Sequence, residues 1–290
     1  MILHLKTQSG ASIRQICLAL GLPRSSHYHA ATATPAQQDD TRLGSLIEAI
    51  FKRHRCRYGY RRIWQELADH GQSCAPARLR RILKQRGLRA IQPKNFRPKT
   101  SDGRADRPCA NLLARETLPQ LPDQAWAGDI TFIPTTTGWL YLAVVIDLGS
   151  RRIVGWSLDT HMRADLVVHA LKQALQSRPK SSGVIFHSDR GSQYGSRAFR
   201  ALLDKASLRQ SMSRRANPYD NAWTESFMGT LKREMLQGGR FDDLADAKLE
   251  LFDYIDGYYN NHRKHSAIGY LTPNQFETNA AIQSQLNSSN

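Results

Sequence analysis

The 290-residue chain is short of several things, and each shortage removes a class of protein. It has four cysteines, Cys17, Cys56, Cys74 and Cys109, with no CxxC and no metal-ligand spacing among them. That argues against a zinc ribbon or a disulfide framework and for free thiols in a reducing cytosol. His54 and Cys56 lie close in sequence, but two ligands do not make a zinc site. No apolar run approaches the ~20 residues of a membrane-spanning helix. The start, MILHLKTQSG, has neither an apolar core nor a cleavage pattern, so neither a secretory signal nor a membrane partner is expected. Acidic residues are scarce at one end. Positions 1–100 hold 5 Asp and Glu against 19 Lys and Arg; the other 190 hold 20 against 22. Nearly all of the net charge of +16 therefore sits in the first third. Cations at that density repel one another unless an anion offsets them, so a polyanion-binding unit joined to a nearly neutral remainder is expected. A well-solvated basic surface without a partner is the plain alternative.

What is there has a clear order. Residues 12–28, SIRQICLALGLPRSSHY, read as a helix, a Gly21 stop and a second short helix, with Ile13, Ile16 and Leu20 on one face. Residues 1–30 thus resemble a helix-turn-helix. ATATPAQQDD (31–40) reads as a linker. A basic helical unit at 41–91 follows, with helices over Leu46–His54, Tyr60–His70 and Ala77–Gly87, stopped at Gly71 and Gly87. Arginines decorate it, and Arg61, Arg62, Arg80 and Arg81 are the expected contacts to DNA phosphates. Residues 92–122 are polar, rich in Pro, Lys and Arg and without period: a connector.

From 123 to 280 the texture changes. WAGDITFIP alternates, GWLYLAVVID is almost wholly apolar as in a central strand, and RIVGWSLD is a third strand, which predicts an antiparallel meander. An amphipathic helix over Ala164–Ser177, a strand GVIFHSD, a helix Ser196–Ala206, a strand LRQSMS and helices over Asn221–Leu236 and Asp242–Asn261 complete it. The fold class is α/β, a mixed five-stranded sheet covered by helices, preceded by a basic all-α region.

Three acidic residues carry the chemical expectation. Asp129 sits inside the first strand, where Asp is depleted. Asp189 follows the fourth, and if those strands are parallel neighbours the two carboxylates lie side by side at a strand end, where α/β sites form. Glu225 lies on the helix NAWTESFMGTLKRE. At ~100° per residue, Asn221, Gly229 and Lys232 fall within ~40° of Glu225, while Trp223 and Phe227 point away toward the sheet. Gly229 would let a backbone approach. Three carboxylates suit two Mg²⁺ ions that clamp the oxygens of an in-line phosphoryl substitution. Lys232 would contact a phosphate as a point charge. His187 and Arg190 flank Asp189, where they would orient it or touch the nucleic acid, and Gln193 and Tyr194 follow, placed to meet a DNA end. Each has a bland reading: an Asp at a strand end is often a turn former, and a helical Glu is often merely solvated. Asp147 and Asp159 also stand near strand ends and are not excluded by periodicity. His262 and His265 look like a metal pair, but such spacing near a helix end is ordinarily a cap or a phosphate contact.

The blocks WAGDITFIP, GWLYLAVVIDLGSRRIVGWSL, FHSDRGSQYGS, NPYDNAWTESFMGTLKREM and YYNNHRKHSAIGYLTPNQFE resemble, in order, those of a bacterial insertion-sequence transposase. The likeness is to the orfB product of the insertion-sequence "three" family, whose core is similar to retroviral integrases. RYGYRRIWQEL and RLRRILKQRGLRA resemble the helical region upstream of that core. The spacing agrees: 59 residues separate Asp129 from Asp189, 35 separate Asp189 from Glu225, and Lys232 stands where the family carries a basic residue. The resemblance implies an RNase H-like fold and an Asp129–Asp189–Glu225 triad holding two Mg²⁺ or Mn²⁺ ions. It implies water cutting at the element's end, then attack of the freed 3′-OH on a phosphodiester. It further implies double-stranded DNA as partner (terminal inverted repeats and target) and a homo-multimer on paired ends. The upstream-frame product, or a fusion to it, is a further implied partner. Its coiled coil is not expected here, since no long heptad run is present. A cytoplasmic, nucleoid-associated protein is expected.

Overall fold

A computed structural model describes residues 2–23, 35–91, 109–114, 119–214, 222–237 and 239–288. The chain divides into two units, Met1–Arg89 and Ala90–Asn290.

The first unit is helical: α1 (Ile2–Ser9), α2 (Ile13–Ala19), α3 (Pro35–Arg53), α4 (Tyr60–Asp69) and α5 (Pro76–Gln85). Ser12 and Gln15 cap the start of α2 reciprocally, and Gly21 turns the chain out at φ +62°. Ile16 and Cys17 are buried, whereas Leu20 is exposed, so the packed face differs from the expected one. The second helix expected within 12–28 lies largely outside the described residues. The expected linker at 31–40 is corrected: α3 begins at Pro35. Proline's fixed φ suits a first helical position. Asp39 and Asp40, in the second turn, are held by Arg78 and Arg81 of α5, with Arg81 Nη2 2.6 Å from Asp40 Oδ2. Ile47, Ile63, Leu67 and Leu79 are wholly buried between these helices. Gly71 and Gly87 stop α4 and α5 at φ +68° and +66°, a conformation that costs glycine no steric strain.

The second unit contains one five-stranded sheet. Strands β1 (Ala125–Thr135), β2 (Gly138–Asp147) and β3 (Ile153–Asp159) form the antiparallel meander; β4 (Ile185–Ser188) and β5 (Arg209–Met212) add parallel to β1. The order is β3-β2-β1-β4-β5. Helices α6 (Ala164–Ser177), α7 (Ser192–Gly195) and α8 (Arg197–Lys205) follow the meander and β4. Next come α9 (Ala222–Leu231), α10 (Leu244–Phe252) and α11 (Pro273–Ser288). This is the RNase H-like mixed sheet with flanking helices.

The sheet buries both faces. Trp126, Val145, Phe186 and Val154 pack under α6 and α8. Ala127, Ile133, Leu142 and Val144 pack under Phe227, Met228 and Leu231 of α9 and Leu251 of α10. Gly155 shows how close α6 lies. A Cβ there would stand 2.2 Å from the Ala170 carbonyl oxygen, so only glycine fits. Two wide helical turns, Lys232–Leu236 and Asp253–Tyr259, continue α9 and α10 where straight helices were expected. They are tied together: Arg263 grips the Glu234 carboxylate through Nε and Nη2 at 2.9–3.1 Å, and the Tyr254 hydroxyl donates to it at 2.9 Å. Among the described residues no helix is long and apolar enough to cross a membrane.

Candidate active site

The register of β1 and β4 brings the first two carboxylates together. The last parallel pair is Gly128 with Ser188, so Asp129 within β1 and Asp189, the residue just past the end of β4, come next to one another. Such strands lie ~4.8 Å apart. Alternation then fixes their direction. Trp126 and Phe186 face α6 and α8; Ala125 and Ile185 face α9. Asp129 and Asp189 share the parity of the second pair and point to the α9 side. The third element arrives there by packing, because Thr224, Phe227, Met228 and Leu231 of α9 are buried against the sheet. Thr224 donates its hydroxyl to Asp129, which leaves Glu225, the next residue, at the exposed rim of the same site.

Backbone amides hold the two aspartates. Asp129 Oδ1 accepts from its neighbour's amide, Ile130 N, at 2.8 Å, and Asp189 Oδ1 accepts from Gly191 N at 3.0 Å. Burial, then the like charges of Asp189 and Glu225, push Asp129 from an ordinary 3.8 up to about 7. Lys232, half-buried, opens the wide turn after α9. Burial lowers its pKa, and the nearby Asp129 carboxylate opposes that shift. Among the described residues no three His, Cys, Asp or Glu side chains cluster tightly enough to hold one ion together.

Other expected residues are sorted by their surroundings. His187 is not placed to touch DNA: it is wholly buried, with Nδ1 2.8 Å from Ser211 Oγ and Nε2 3.2 Å from Ser213 Oγ. Tyr194 is likewise buried and meets no DNA end. Arg190 donates through Nε to the Ser213 carbonyl at 2.8 Å, and Gln193 through Nε2 to the Met162 carbonyl at 2.9 Å; both are half-buried loop anchors. Gly229 is exposed, and no described side chain or backbone comes within 4 Å of where its Cβ would be, so the close approach expected there is not made by this chain. Asp147 is a turn former: its carboxylate accepts from the amides of Asp123, Gly149 and Ser150 and from the Ser150 hydroxyl. Asp159 accepts from the Thr160 amide in a turn. His262 and His265 belong to no metal cluster.

In the helical unit, Arg61 and Arg80 are exposed and both lie by the Tyr60 ring, at 5.6 and 5.1 Å from its centroid. Arg62 lies over Tyr58 at 5.5 Å. Arg81 is exposed but paired with Asp40. Sequence reasoning missed Thr224 and Arg263: a threonine beside a glutamate carries no signal, and an arginine's partner 29 residues away is invisible to periodicity.

Comparison with known proteins shows the family of the chain. Residues 119–218 and 206–273 match two integrase core domain families, and residues 37–96 match an HTH-like domain. Transposase InsF of insertion sequence IS3A from Escherichia coli (strain K12) is 39% identical over 276 residues, covering 94% of this chain and 96% of that protein. The 31 kDa protein of insertion element IS600 from Shigella sonnei is 38% identical over 263 residues, covering 90% and 97%. A distant likeness, 18% identical at TM-score 0.47 over 73% of this chain and 69% of the other, is to a chain of a simian T-cell lymphotropic virus intasome. With that identity running over almost the whole of both sequences, the chain belongs to the IS3 family of insertion-sequence transposases, a helix-turn-helix-like region joined to an integrase core.

Proposed function

We propose that Asp129, Asp189 and Glu225 hold two divalent cations, Mg²⁺ or Mn²⁺. We propose further that the protein uses them to cut DNA at insertion-sequence ends and to join the freed 3′-OH to target DNA. One observation carries the reading. The β1–β4 register sets Asp129 and Asp189 next to one another, and the Thr224 bond to Asp129 brings α9, with Glu225, to the same place, so three acids from distant parts of the chain meet where a cation would offset their repulsion. The donors fit the ions. They are hard carboxylate oxygens, and Asp189 Oδ2 has no hydrogen bond among the described residues. When bound, the ions would supply positive charge to the attacking and leaving oxygens of a phosphoryl substitution.

The chain's own residues do the rest. Thr224 and the Ile130 amide orient Asp129, and the Gly191 amide orients Asp189. The Lys232 ammonium offers a phosphate a cation beside Asp129. Arg61 and Arg80, exposed and braced by Tyr60, suit DNA phosphates, which position a protein without reading sequence. Terminal repeats and target would be the DNA partners.

The test uses the full chain, labelled element ends carrying a pre-cut 3′-OH, and Mg²⁺. Wild type joins strands. Glu225→Gln retains DNA binding by gel shift and loses joining by at least ~100-fold, since it removes a metal ligand rather than a duplex contact. Equal loss of binding and joining would contradict the assignment. Cutting without joining would make the protein a nuclease.

A further inference from the structure

β4 and β5 end together, on the pair Ser188 and Met212, so the next residues are Asp189 and Ser213. Ser213 bonds to the chain on both sides of Asp189. Its amide donates to the Ser188 carbonyl at 2.9 Å. Its hydroxyl stands 3.2 Å from His187 Nε2. Its carbonyl accepts from Arg190 Nε at 2.8 Å. Asp189 takes part in none of the three; its Oδ1 accepts from the Gly191 amide, and its carbonyl accepts from the Ser188 hydroxyl at 2.9 Å. Ser213 is 5% exposed, and His187 and Ser188 are wholly buried, so water competes little for these bonds. The other nitrogen of the imidazole, His187 Nδ1, lies 2.8 Å from Ser211 Oγ, which accepts from the Leu112 amide at 2.9 Å. The Ala110 carbonyl accepts from the Met212 amide at 3.4 Å. Residues 110–112 thus back β5, the edge strand of the sheet.

β4 and β5 are four residues each, and a residue just past the end of so short a strand has no ladder of its own to fix it. A side chain that is to hold a cation has to be kept within ~0.5 Å of its place. At Asp189 that order comes from Ser213, which closes on the residues before and after it. The plain alternative is that Ser213 only finishes an edge of the sheet. Removing its bonds would then lower stability and leave cation affinity alone, so the two readings separate.

We propose that Ser213 is a positioning residue that grips the chain on both sides of Asp189 and fixes where that carboxylate stands. The proposal rests on reading Asp189 as a cation ligand. It adds to the site a residue that acts only through its neighbours, His187, Ser188 and Arg190.

Ser213→Ala removes the hydroxyl, and Arg190→Lys keeps the charge while putting a methylene where Nε was. The measurement is Mn²⁺ affinity of the full chain, from the electron paramagnetic resonance signal of free Mn²⁺, at a temperature where circular dichroism shows the variants folded. Ser150→Ala is the control: it removes an equally buried hydroxyl, 3.1 Å from Asp147 Oδ1, in the turn between β2 and β3. Wild type binds, and Asp189→Asn does not. Ser213→Ala and Arg190→Lys each bind about 2- to 10-fold more weakly, the worth of one hydrogen bond. Ser150→Ala binds as wild type does, although its melting temperature falls. If Ser213→Ala does not fold, Arg190→Lys decides alone. Wild-type affinity in either folded variant, or an equal loss in Ser150→Ala, with Asp189→Asn inert, overturns the proposal and leaves the cation site standing. Mn²⁺ binding that is absent from wild type, or that survives Asp189→Asn, overturns both.

Discussion

Replacing Asp129 with asparagine is expected to stabilise the protein whenever divalent ions are absent. Folding raises this carboxylate from 3.8 to about 7 through burial and the charges of Asp189 and Glu225. Three units at ~1.4 kcal/mol each set an upper bound of ~4 kcal/mol, and local relaxation brings the expected gain to ~1–3 kcal/mol. The sign follows from proton counting. Between pH 3.8 and about 7 the folded protein binds this proton and the unfolded chain releases it, so stability falls as pH rises through that window. Below 3.8 both states are protonated and the contribution is nil; above about 7 the loss is complete. Asp129→Asn should therefore gain little at pH 4 and most at pH 8, measured by urea unfolding in EDTA. Asp147, raised to about 6 by burial, titrates in both proteins and cancels from the difference. Adding Mg²⁺ should stabilise wild type and not the variant, which shrinks the gap. A variant no more stable than wild type at pH 8 in EDTA, or a gain independent of pH, would refute the reasoning.

Two further outcomes are expected. Arg263→Met strands the buried Glu234 carboxylate and should cost ~3–5 kcal/mol in urea unfolding. Adding Glu234→Gln should recover part of that, and full additivity of the two changes would show the pair is not coupled. Arg80→Ala should weaken binding of a short DNA duplex and lower the slope of log affinity against log salt by ~0.9, read by fluorescence anisotropy. Arg81→Ala should do less, because Asp40 already holds its charge; the reverse ranking would move the phosphate contact to the Asp40 side of α5.

The meander and α6 were legible because alternation, a doubly buried run and a 3.6-residue period are local signals, and the structure keeps their boundaries to a residue or two. The neighbourhood of Asp129 and Asp189 was legible only through an assumption, that β1 and β4 run parallel, which the register bears out. Long-range partners were not legible. Pro35–Asp40 reads as a linker until Arg78 and Arg81, some 40 residues on, pair with Asp39 and Asp40. His187 reads as a contact until Ser211 and Ser213 of the neighbouring β5 segment close on both ring nitrogens. The wide turn at Lys232 carries Glu234, whose partner Arg263 lies 29 residues on. Tyr194 reads as a DNA contact from its place after Asp189; its burial comes from Phe186 and Phe199, which no spacing announces.

The most direct measurement is anomalous diffraction from crystals of the protein grown with Mn²⁺. Two peaks are expected, each within ~2.0–2.3 Å of oxygens drawn from Asp129, Asp189 and Glu225 and ~3.5–4 Å from one another. Manganese bound elsewhere, or a site that leaves the Glu225 carboxylate in solvent even with a DNA end in place, would contradict the account.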